Sequence, residues 1–320
     1  MKPAVESNRG RWGTAIALAV LVLAFPVFGP LPLVGIPLAM LMVGLPTGRR
    51  LVWVSAGLAL WLFVLFLPGG PLGQVGRGWA LVLGMVFLAI SLARPGWAVL
   101  TRALGSTGIA VVVGGTVMVA AGGIGVMDNL IHTHLAEVSE ILLGDLEKQL
   151  PDATGLAELR VTTGQVVEQQ VYMFPAYLAL QSVAALALAA WWVRRLRRST
   201  SEGFRLGDLS GFRFNDHLVW LLILGGALLL LSSVPGAERV GANLLLFMGA
   251  LYMLRGFAVF AFLTAEAGSA LSIVLGVVIL LALGGGLQSL LILVLLAALL
   301  MGLGDTWLDV RRRVTDVTRT

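Results

Sequence analysis

Charged residues are absent from long stretches of this chain and crowd into short intervals between them. The charge-free runs are Trp12–Gly48, Leu51–Gly76, Gly78–Ala93, Ala103–Met127, Gln169–Val193, His217–Ala237, Val240–Leu254 and Ala267–Gly304. A helix that crosses a bilayer needs about 20 mostly apolar residues. Ala267–Gly304 holds 38, which would make about 57 Å of helix against a hydrocarbon core of about 30 Å. The first run is over-long as well, and each has a helix breaker in its middle. Pro26, Pro30, Pro32 and Pro37 interrupt the first, and Gly284, Gly285 and Gly286 the last. Splitting both predicts an all-α polytopic bundle of about ten spans: 13–29, 31–46, 51–68, 78–93, 105–127, 171–193, 217–235, 241–263, 269–283 and 287–303.

Arginine placement orients the spans. With both termini on the cytoplasmic side, 17 of the 22 basic residues fall in cytoplasmic intervals. Only Arg77, Lys148, Arg160 and Arg239 fall outside, and Arg255 lies within a span. Leaving either long run unsplit would put a basic terminus outside, against the excess of Lys and Arg in cytoplasmic loops. Trp12, Trp53, Trp97, Trp191, Trp192, Trp220 and Trp307 gather near the same interface, as an aromatic belt does. The expected location is the bacterial inner (cytoplasmic) membrane, with the first span retained rather than cleaved as a signal.

Composition agrees. The chain is 58% hydrophobic and 12% charged, with a mean hydropathy of +0.94; a soluble domain carries about 25% charged residues. The net charge of +5 sits in loop clusters, which points to membrane lipids as partners rather than to nucleic acid. With no cysteine, disulfides, thiol chemistry and iron–sulfur clusters are excluded.

Four regions follow: an N-terminal membrane part (1–127), an external insertion (128–170), a C-terminal membrane part (171–303) and a cytoplasmic tail (304–320). The insertion holds eight acids against Lys148 and Arg160. Its Ile131, Leu135, Val138, Leu142, Leu146 and Leu150 recur at three- and four-residue steps, which predicts an amphipathic helix ending at Pro151. A second short helix is expected from Gly155 toward Gln170. The interval Arg194–Asp216 opens with Arg-Arg-Leu-Arg-Arg, a cluster that attracts anionic headgroups.

Candidate chemistry is sparse. No phosphate-cradling loop, metalloprotease helix or nucleophile elbow occurs. His132 and His134 are two apart and diverge on a helix, and Asp128 with His132 lacks further ligands, so no metal and no cofactor is expected. Proton transfer or nucleophilic attack needs converging ionisable groups, and the spans offer almost none; the chain is not expected to be an enzyme. The residue that stands out is Arg255, because a charge within a span is costly and calls for a partner or a wet cavity. Gln181, Asn243 and Gln288 are the polar candidates to accompany it in an intramembrane site. Small residues on shared helix faces, such as Ala110 with Gly114, are expected to let helices approach closely.

Several segments carry a family resemblance. Met173–Tyr177 (Met-Phe-Pro-Ala-Tyr), Phe212-Arg213-Phe214, Asn243–Leu245, Leu251–Val259 and Gly302–Arg312 resemble the YybS-like family of bacterial polytopic membrane proteins, over roughly residues 165–313. The family pattern has glutamine where this chain has Arg255. The proline-rich first hairpin is also similar, at fold level, to the S components of energy-coupling-factor transporters and to the rod-shape protein MreD. Two roles remain open. One is transport-related binding of a small molecule or lipid within the bundle. The alternative is a structural or assembly protein of the cell envelope that acts through membrane protein partners.

Overall fold

Apolar runs broken by proline, glycine and charge fold as a succession of helices. In the structure, a computed structural model, the described residues are 18–20, 22–23, 28–45, 50–149, 155–197, 212–231, 233–267 and 288–319. Among them there is no strand. The elements are α1 (Pro30–Gly44), α2 (Arg50–Leu65), α3 (Pro71–Ala93), α4 (Val99–Ala120), α5 (Ile124–Gln149), α6 (Leu156–Tyr172), α7 (Phe174–Arg197), a 3-10 turn (Asp216–Leu218), α8 (Val219–Leu229), α9 (Ala237–Ala267), α10 (Gln288–Leu308) and α11 (Val310–Arg319). Four of these, α3, α4, α7 and α9, are long and apolar enough to cross a membrane; α1, α2, α8 with its 3-10 turn, and α10 are shorter apolar helices.

Several boundaries differ from expectation for local reasons. Pro71 and the glycine before it start α3 seven residues earlier than Gly78, with proline in the first turn, where its missing N–H is harmless. Arg77 therefore lies inside α3. It donates to the carbonyls of Leu67 (2.6 Å) and Leu65 (3.3 Å) where α2 ends. The span expected at 105–127 is instead α4, Val99–Ala120. It stops at Gly122, whose φ of 63° is left-handed, and α5 starts at Ile124. Because α4 starts early, Arg102 sits on its packed face with Val99, Ala103, Ser106 and Ala110 and is 1% exposed, not in a solvated interval. Helices α5 and α6 lie where the two insertion helices were expected, but the buried face differs from the expected stripe: Ile131 and Leu135 are buried, Val138 and Leu142 are exposed, and Leu143 is buried instead. The expected span 269–283, the glycine triplet, Pro151 and most of the first span lie outside the described residues.

The chain divides into two compact units, Ala15–Leu206 and one that includes Gly207–Thr320. This division does not follow the regions drawn at 127 and 171. The reason is α7, which packs on α1 and α4 of the first unit. Within its apolar window, 83% of residues are buried, against 22–39% in the other long helices. Its alanines, among them Ala184, Ala185, Ala187, Ala189 and Ala190, let neighbours approach on all sides. Trp79 of α3 donates to Ser182 of α7 at 2.9 Å. In the second unit, α9 packs against both α8 and α10.

Candidate functional site

The second unit collects six charged side chains at one place, and two glycines put them there. A Cβ on Gly256 would overlap the carbonyl of Ala298, and one on Gly302 would overlap the carbonyl of Tyr252. The α9 and α10 backbones therefore touch at this crossing. Arg255 precedes one glycine and Asp305 follows the other by three residues, so the close crossing brings them together.

Arg255 donates from Nε to Asp305 Oδ2 at 3.0 Å and from a terminal nitrogen to Asp216 Oδ1 at 2.6 Å. The Asp305 side chain is 0% exposed and the Arg255 side chain 2%, whereas that of Asp216 is 60% exposed. Arg311 donates to the same Asp305 oxygen at 2.8 Å and to the carbonyl of Phe212 at 3.1 Å. Arg213 pairs with Asp309 and stands 3.9 Å from the second Asp305 oxygen. Burial alone would lower the Arg213 guanidinium pKa; its bond to Asp309 and the charges of Asp309, Asp305 and Asp216 raise it. Aromatic rings close one side: Arg255 lies over the Phe214 ring at 5.4 Å, and Phe214 meets Tyr252 edge-on at 5.0 Å.

Asp309 sets the last part of this geometry. Its φ of 44° is left-handed, a conformation aspartate tolerates better than most residues. The kink ends α10 at Leu308 and starts α11 at Val310, which carries Arg311 back onto Asp305 six positions earlier. Three arginines and three aspartates balance in charge. The arrangement is a charge-balanced clasp joining α9, α10, α11 and the segment before α8, buried at Asp305, Arg255 and Arg311 and open to solvent at Asp216, Arg213 and Asp309.

Of the residues expected to share a site with Arg255, Gln181 and Asn243 make their described bonds elsewhere. Gln181 belongs to the first unit, where it donates to the carbonyls of Val22 (2.9 Å) and Phe28 (3.2 Å). Asn243 is 12 residues from Arg255, about 18 Å along the same helix, and donates to the Arg239 carbonyl at 2.8 Å. Gln288 opens α10, about 25 Å of helix before Asp305; its side chain lies outside the described residues. Asp305, Asp216, Arg311, Arg213 and Asp309 were not anticipated as partners. The available signal was that Phe212–Phe214, Leu251–Val259 and Gly302–Arg312, all segments carrying the family resemblance, each bring charge to the same place.

The first unit contributes a different feature. An apolar groove of about 320 Å³ lies among α1, α2 and α3, bounded by Ala39, Val43, Gly57, Leu58, Met85 and Leu88 with their neighbours. Leu58 and Met85 are 46% and 55% exposed, so the groove is open at its side. Its size is at the lower end for small-molecule sites, which run from about 300 to 1,000 Å³.

A family model described as "Predicted membrane protein (DUF2232)" matches residues 14–306, a stretch that takes in both the groove and the α9–α10 crossing. The chain belongs to this family. It is thus a member of a family of predicted membrane proteins, and its apolar helices fit that description. No curated protein and no solved structure matches it.

Proposed function

We propose that the protein crosses the bacterial cytoplasmic membrane ten times, with both termini inside, and binds a lipid or similarly apolar small molecule among its helices in a transport-related role. The groove among α1, α2 and α3 carries this reading. It is lined by aliphatic, methionine and tryptophan side chains with two glycines, and its open side admits a chain-like molecule. Arg255 and its partners fit a structural role instead, because three arginines and three aspartates pair with one another. The resemblance to YybS-like proteins brings no function of its own, and the likeness to transporter S components is at fold level alone. To test it, the protein is purified in mild detergent and weighed intact by native mass spectrometry. An apolar ligand is expected to co-purify and to be lost in Leu58→Trp, which fills the groove from its exposed rim. A wild-type protein that stays empty, and that no lipid stabilises, would refute the reading.

One observation favours a second reading, an envelope assembly protein acting through partners. The α5 stripe is buried at Ile131 and Leu135 but continues into Val138, Ile141 and Leu142, which are 39%, 60% and 65% exposed. An uncovered apolar stripe on an acid-rich helix suits a protein partner. Cross-linking in native membranes that is abolished by Leu142→Asp would support this reading over the first.

A further inference from the structure

We infer that the ligand of the groove is an anionic phospholipid, with an acyl chain between α1, α2 and α3 and its phosphate held by Arg50 and Arg94. This rests on the reading of the groove as a ligand site and specifies the ligand.

Glycine contacts fix the directions of the three helices. A Cβ on Gly35 would meet Val64 at 2.9 Å and one on Gly57 would meet Val43 at 2.8 Å, so α1 and α2 are antiparallel. Gly76 faces Phe28, Gly84 faces Pro37 and Met40, and Gly44 faces Leu88, so α1 and α3 are parallel. The end of α1, the start of α2 and the end of α3 therefore lie together. The groove is built from the later part of α1 (Ala39–Gly44) and of α3 (Met85, Leu88), so it lies toward this shared end.

Among the described residues, two cations flank that end. Arg50 starts α2, seven residues before Gly57, and Arg94 caps α3, six residues after Leu88. They stand about 10 Å and about 9 Å beyond the groove along their helices, a span shared by a glycerol–phosphate headgroup and an arginine side chain. Both are exposed, and Arg94 lies over the Trp97 ring at 5.7 Å. No aspartate or glutamate occurs in the sequence between Glu6 and Asp128. The helices that build the groove thus carry arginines and no acid, and an anionic headgroup supplies what they lack. An uncharged lipophile would fill the groove but leave this charge unused, and a free phosphate would leave the groove empty.

The test uses the full chain in nanodiscs containing equal amounts of phosphatidylglycerol and phosphatidylcholine, read by native mass spectrometry after release into detergent. A basic residue near a membrane surface is worth about 1 kcal/mol, and 1.4 kcal/mol is tenfold, so a preference for phosphatidylglycerol of about fivefold per arginine is expected. Arg50→Gln with Arg94→Gln should abolish the preference while lipid is still retained. Leu58→Trp or Met85→Trp, both at exposed positions, should lower retention of both lipids. If the tryptophan variants lose lipid but the glutamine variant keeps its phosphatidylglycerol preference, the headgroup assignment is overturned and the groove reading stands. If the tryptophan variants retain lipid as the wild type does, both are overturned.

Discussion

Asp305 is the acceptor on which the clasp depends, and its removal should cost more than that of any other member. Its side chain has no solvent exposure, and one oxygen accepts from two arginines that are themselves nearly buried. Breaking a buried pair by removing one partner costs about 3–5 kcal/mol, because the charge left behind stays desolvated. Asp305→Leu strands part of Arg255 and most of Arg311, so a loss of about 4–5 kcal/mol is expected. Arg255→Met should cost about 3 kcal/mol, at the low end of the range, because Arg311 still serves Asp305. Asp216→Asn should cost under about 1 kcal/mol, since that carboxylate is 60% exposed and its pair is screened by water. The double variant Arg255→Met with Asp305→Leu removes both ends of one pair. It should fall short of the sum of the singles by about 2–3 kcal/mol, the coupling expected of residues in one network. Equilibrium unfolding in mixed detergent, followed by tryptophan fluorescence, measures all four. Additive single losses, or an Asp216 variant as damaging as the Asp305 variant, would refute the clasp.

Three further outcomes follow from individual contacts. Gly256→Ala should destabilise by at least about 3 kcal/mol, because its Cβ meets the Ala298 backbone, which cannot rotate away. Gly249→Ala in the same helix meets nothing and should stabilise by up to about 1 kcal/mol in the same unfolding experiment. Gln181→Leu should cost about 1–3 kcal/mol, since it removes the buried side-chain donor to two carbonyls; hydrogen exchange at residues 22 and 23 should rise with it. Because the chain has no cysteine, single substitutions report sidedness cleanly. Glu140→Cys should react with a membrane-impermeant maleimide added to intact cells and Arg312→Cys should not; the reverse pattern would overturn the proposed orientation.

The helices were legible because their signal is local. Among the described residues, long charge-free runs are helical, and breakers such as Pro71 and the Gly122–Gly123 pair place the ends of helices. Errors at those ends share a cause: a span was assumed to start after the last charge, whereas Arg77 and Arg102 lie within helices. Arg77 can do so because its long side chain reaches the carbonyls that end α2. The glycines were less legible. With 40 in the chain, spacing alone does not separate Gly256 and Gly302, which touch backbone, from Gly249 and Gly108, which face open space. Of the small-residue faces expected to pack, Ala110 with Gly114 does so: Ala110 is fully buried and a Cβ on Gly114 would meet Trp79 at 3.0 Å.

The site was half legible, for a physical reason. A lone arginine in an apolar run must be compensated, so Arg255 announced itself; its partners did not, because they sit where charge is unremarkable. Asp305 falls in what reads as a cytoplasmic tail and Asp216 in a polar interval, 50 and 39 residues away. Searching for uncharged polar groups inside the spans selected Gln181, whose bonds go instead to the carbonyls of Val22 and Phe28. The better rule is that a charge inside a helix is answered by opposite charge at the ends of neighbouring helices, since those aspartates can reach inward while their backbones stay at the boundary. In the first unit, Arg50 and Arg94 are instead exposed at helix ends, and no carboxylate occurs in the sequence between Glu6 and Asp128. The clasp balances its three arginines with three aspartates, whereas Arg50 and Arg94 are exposed beside an apolar groove. That difference is why ligand binding is assigned to the groove and not to the conspicuous buried arginine.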